Sequence, residues 1–127
     1  MEIFEQAKQF FFDALNHLEN ENFKGAEENF LKSLALIPDR VSTLTNLSAT
    51  QIKLKKFIEA ESSAMKAIAL DANNGEAWLN LGLIENANNN FNVAIINFDK
   101  AIHFNHDYAE AWSNKGITLH ELKRHEE

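Results

Sequence analysis

The sequence contains no cysteine. That absence removes disulfides, thiolate metal sites and cysteine nucleophiles together, and it fits a reducing compartment. Turn-formers are scarce as well. One proline and four glycines in 127 residues cannot supply the many chain reversals of a β-sandwich or barrel. No apolar stretch approaches the ~18 residues of a membrane span, and Glu2 and Glu5 stand where an export signal needs basic and then apolar residues. Positive charge is the last shortage: 12 Lys and Arg against 19 Asp and Glu give a formal net charge of -7, whereas nucleic-acid binders need a basic face to displace counterions. With 45% hydrophobic residues a packed core is available, and the length suits one domain. The expectation is a single all-α domain over residues 1–127, cytoplasmic, with neither nucleic acid nor membrane among its partners.

What the chain does have is an internal period. Shifted by 34 residues, Phe10 falls on Leu44, Trp78 and Trp112, and Ala14 falls on Ser48, Gly82 and Gly116. Phe23 coincides with Phe57 and Phe91, Ala26 with Ala60 and Ala94, and Leu36 with Leu70 and Phe104. A fixed period of this size marks a repeat architecture. The units run 7–40, 41–74 and 75–108, followed by a partial unit, 109–127. Each complete unit holds two segments of about 14 residues whose apolar positions lie three and four apart, as in amphipathic helices. Asn20 to Asn22, Lys55 to Lys56 and Asn88 to Asn90 separate the helices of a pair, while Asp39, Asn73 to Asn74 and Asn105 to Asp107 separate units. The recurrent Ala, Ser and Gly let backbones approach, and the recurrent Phe fill the space beside the turns.

Trp78, Leu81, Gly82, Ala94 and Phe98 in the third unit, with Pro38 ending the first, resemble the tetratricopeptide repeat pattern. The sequence departs from it at Asp13, Lys115, Glu85, Ala64, Ala72 and His106. The resemblance implies a right-handed superhelical solenoid of antiparallel helix pairs, three full repeats plus one extra helix. It also implies a concave surface, lined by the first helix of each pair, that binds other chains.

The sixth place of the repeat is Asn46, Asn80 and Asn114, with Phe12 in the first unit. A carboxamide carries a donor and an acceptor together, so it can pair with the backbone of an extended peptide whatever that peptide's side chains. Helices stacked ~8 to 10 Å apart would meet roughly every third residue of a chain advancing ~3.3 Å per residue. Such a ladder is similar to that in the repeats of O-linked N-acetylglucosamine transferases. Beside it the groove is expected to present Thr45, Leu79, Leu83, Ser113 and Ile117. The carboxylate clamp of chaperone-binding repeats is another groove chemistry, but at its places stand Phe11, Leu15, Glu76 and Asn80, leaving Asn46 alone of the set. With Glu110 and Glu121 in the groove and Lys53 as the main exception, the ligand is expected to be neutral or basic.

Catalytic motifs are missing: there is no phosphate-binding glycine loop, nucleophile elbow or His-Glu-x-x-His. His103, His106, His120 and His125 have no spacing that fixes a third ligand, so no metal and no cofactor are expected. Glu27 with Glu28, and Lys53 with Lys55 and Lys56, read as solvated helix faces. The chain is thus expected to be a non-enzymatic protein-interaction module that holds an extended segment. Two alternatives are the substrate-recruiting arm of a longer enzyme such as a glycosyltransferase, and a scaffold that self-associates through its terminal helices. The second rests on Phe4 and Phe10 to Phe12 at one end and Trp112, Gly116 and Leu119 at the other.

Overall fold

The computed structural model describes residues 2–126. All regular structure among them is helical: α1 Ile3–Glu19, α2 Phe23–Leu36, α3 Val41–Lys53, α4 Phe57–Leu70, α5 Gly75–Ala87, α6 Phe91–Phe104 and α7 Ala109–Glu126. Each even helix folds back on the odd helix before it, and each odd helix packs on the even helix before it. The helix α5 also touches both α3 and α7, so these three odd helices form an inner wall and the even ones an outer layer. The helix α1 starts four residues ahead of the first expected unit, because Glu5 suits the positive end of the helix dipole and the Gln6 amide already bonds to the Glu2 carbonyl.

The turn within each pair has one geometry, repeated. Glu21, Lys55 and Asn89, spaced by the repeat, have φ of 55, 61 and 63°. The amides that follow them close back on the helix: Asn22 to the His17 carbonyl, Lys56 to Gln51 and Asn90 to Glu85, at 2.8, 2.8 and 2.9 Å. This is the Schellman arrangement, which satisfies carbonyls left open at a helix end. Glycine suits that backbone, asparagine tolerates it, and Glu or Lys is strained there. Lys55→Gly should therefore stabilise the protein by about 0.5–1 kcal/mol, read as a higher denaturation midpoint at unchanged slope. Asn22 and Asn74 then cap α2 and α5 by accepting from the Gly25 and Ala77 amides, each at 3.0 Å.

The small sites bring the helices together. Ala14, Ala26, Ala60, Ala94 and Ala101 are wholly buried, and serines tie the pairs: Ser33 Oγ donates to the Ala7 carbonyl at 2.7 Å and Ser48 Oγ to Ala60 at 2.8 Å. At Gly82 a Cβ would overlap the ring of Phe98. At Gly116, in the same register, a Cβ would meet nothing within 4 Å. Trp112 is accordingly 51% exposed, and Ile117 and Leu119 stand open on α7.

One expectation needs correction. Glu27 is not a solvated residue but is 8% exposed, with its carboxylate between repeats, where it accepts from Lys56 Nζ at 2.7 Å and Gln51 Nε2 at 3.3 Å. Gln51 Oε1 in turn accepts from Ser63 Oγ at 2.8 Å. Glu27 and Glu28 are neighbours in sequence, but the helix twist sends Glu27 inward and leaves Glu28 outside, where it meets Lys32. Thr43 is buried where the repeat has Ala77 and Ala111, and its hydroxyl is without a hydrogen-bond partner.

Candidate functional site

The inner wall holds a recess of about 550 Å³ lined from three successive odd helices. From α3 come Thr45, Asn46, Ala49 and Lys53; from α5 Glu76, Leu79, Asn80 and Leu83; from α7 and the residue before it Asn114, Glu110 and Tyr108. The repeat places these residues together because equal positions on parallel helices, one unit apart, share a face. Six of the eight site residues named from sequence line this recess. Ser113 and Ile117 are exposed on α7 and are not among its lining residues.

The three amides are in register but not in equal circumstances. Asn46 and Asn114 each donate Nδ2 back along their own helix, to the Ser42 carbonyl at 2.8 Å and the Glu110 carbonyl at 2.9 Å. Both remain partly accessible. Asn80 is 4% exposed, and its Nδ2 crosses to the Thr45 carbonyl of the preceding repeat at 3.1 Å. The middle rung therefore joins α5 to α3, and the outer rungs face the recess. Thr45 and Leu79 are also buried: the Thr45 hydroxyl donates to Ser42 at 3.1 Å, and Leu79 packs with Ala94, Phe98 and Ala111.

Tyr108 was not singled out from sequence, since it occupies a linker place filled by Arg40 and Asn74 in earlier units. Its ring lies against Gly75, where a Cβ would come within 3.7 Å of it. Burial, reinforced by the carboxylates of Glu76 and then Glu110, pushes the phenol up to about 12. Tyr108 is the only tyrosine, so its titration is directly readable at 295 nm. The midpoint should fall from about 12 in the folded protein to ~10 in denaturant, and Glu76→Gln with Glu110→Gln should lower the folded value. Because the folded phenol keeps its proton between those two values, the stability it adds is complete below pH ~10 and is lost as the pH rises towards 12.

The histidines are scattered. His103 packs edge-on against Phe104 and His125 tilts against Phe91, and among the described residues no three His, Asp or Glu side chains gather as metal ligands. No helix of the described residues is long and apolar enough to cross a membrane.

Residues 41–74, the second unit, match a tetratricopeptide repeat model. No curated protein is significantly similar to the chain in sequence. Solved structures are similar in fold. The TPR domain of Arabidopsis OM64 superposes with a TM-score of 0.87 at 17% identity, over 92% of this chain and 97% of that one. The first TPR of Spaghetti (RPAP3), bound to the HSP90 peptide SRMEEVD, gives 0.87 at 19% identity over 94% and 95%. The TPR2B domain of yeast Sti1, in complex with pHsp70, gives 0.84 at 17% over 92% and 98%. At such identities the likeness speaks for the fold, and together with the repeat match it gives the conclusion that this chain folds as a tetratricopeptide repeat solenoid.

Proposed function

We propose that the chain is a protein-interaction module that holds an extended segment of a partner protein along the α3–α5–α7 recess and performs no chemistry of its own. The observation that carries this reading is the recess itself, with Asn46 and Asn114 presenting accessible carboxamides on either side of a buried Asn80. Each outer rung has already donated one N–H to its own helix, and what it offers a ligand is a carboxamide with a second N–H and an acceptor oxygen. Peptides held by domains of the same fold, SRMEEVD among them, support the reading. The lining favours a neutral or basic segment, since Glu76 and Glu110 outnumber Lys53.

The test is a displayed library of randomised nonapeptides, followed by affinity measurement on the enriched sequences. Asn46→Ala with Asn114→Ala should leave the melt nearly unchanged and weaken binding by about one to two orders of magnitude, at ~0.5–1.5 kcal/mol per hydrogen bond. Unaltered affinity in that double variant would remove the amides from the site. Asn80→Ala should instead lower stability, because its amide bridges two repeats.

A second reading, self-association through the terminal helices, draws support from the open face of α7, where Trp112 is exposed beside the uncovered Gly116, and from Phe4 and Phe12, exposed on α1. Light scattering over a concentration series separates it from a monomeric adaptor: mass that stays at one chain excludes it.

A further inference from the structure

The two ends of the recess differ in charge. Glu76 and Glu110 occupy the same place of consecutive repeats, in the first turns of α5 and α7, where the helix dipole favours the ionised carboxylate. Both side chains are exposed, and neither takes part in an ion pair among the described residues. The half-buried Tyr108 ring sits at the same edge, pressed on the start of α5 beside Gly75. Lys53, the one cation in the lining, belongs to the last turn of α3. Since the odd helices run parallel, it stands at the opposite edge. One edge thus combines two unneutralised carboxylates with an aromatic ring, a set complementary to a cation with an apolar stem.

We propose that the Glu76–Tyr108–Glu110 edge is a subsite for one arginine or lysine side chain within the extended partner segment. The proposal rests on the groove reading above and deepens it by naming what the groove selects. The cationic head lies between the two carboxylates and its methylene stem crosses the Tyr108 ring. Arginine suits the place best, because a guanidinium presents several donors in one plane and bonds two carboxylates at once. An acidic peptide such as SRMEEVD, the ligand of the similar Spaghetti domain, brings carboxylates against carboxylates here, so this recess selects the opposite charge class.

The nonapeptide library tests this when it is panned on the full chain, with the randomised segment flanked on both sides so that it has no free terminus. Enriched sequences should share one Arg or Lys at a fixed position. Exchanging that Arg for citrulline, its neutral isostere, should weaken binding to the unaltered protein by about tenfold, and to a Glu76→Gln, Glu110→Gln variant by less than about twofold. Both substituted residues are exposed, and circular dichroism verifies that the variant keeps its fold. Enrichment of acidic sequences, of sequences without a basic residue, or an equal citrulline penalty on both proteins overturns the subsite. If such peptides still depend on Asn46 and Asn114, the groove survives while the subsite falls. A library that yields no enriched sequence overturns both.

Discussion

Phe98→Ala should lower the unfolding free energy by about 3–5 kcal/mol, the range for deleting a fully buried aromatic side chain. The ring has no exposed surface and packs in one cluster with Leu79, Ala94, Ala101, Ile102 and Ala111. It also lies where a side chain at position 82 would be. Gly82→Ala should therefore be destabilising too, by about 1–3 kcal/mol from overpacking, even though alanine is the better helix former. The matched change at Gly116 should have the other sign. Nothing lies within 4 Å of the added methyl, and the helix propensity difference alone should raise stability by up to ~1 kcal/mol. Urea melts of the three variants provide the check, and equal effects at the two glycines would contradict the contact between Phe98 and position 82.

Glu27→Ala should cost about 1–3 kcal/mol, an unusual loss for a glutamate in a helix. The reason is the chain of contacts behind it. Gln51 Nε2 would lose its carboxylate acceptor in a buried place, and a buried donor without a partner carries its full desolvation cost. Lys56 would lose the Glu27 hydrogen bond that raises its pKa above the ordinary 10.5, but its ammonium reaches water. The greater part of the loss should accordingly run through Gln51. A double-mutant cycle with Gln51→Ala should show strong coupling, of the ~0.5–3 kcal/mol seen for residues in one network. Additive effects would mean that the Glu27–Gln51–Ser63 chain does not act as a unit.

The helices and their pairing were legible because they depend on spacing. A 34-residue period, apolar residues three and four apart and Asn or Lys clusters between them mark seven helical segments and the turns that separate them, although α1 begins at Ile3, ahead of the first unit. The turn geometry was less legible. Glu21 and Lys55 adopt the left-handed backbone that Asn89 favours by chemistry, since the closing Schellman bonds and the packing of the flanking helices outweigh the preference of the residue.

The candidate site divides in the same way. Sequence by itself determined that Asn46, Asn80 and Asn114 share one face, because equal places in equal repeats must do so. It also determined that the wall beside them lacks basic residues other than Lys53. Only the tertiary structure decided which of these groups stay accessible in the recess. Asn80 turns to the Thr45 carbonyl while its counterparts bond within their own helices. Glu27 enters the core while Glu28 stays outside, and Tyr108, a linker residue in sequence, completes the acidic edge of the recess. The physical reason is that register gives direction along a helix, whereas burial and hydrogen-bond partners depend on how closely the next helix approaches. That distance is set by side chains far apart in sequence, such as Gly82 and Phe98.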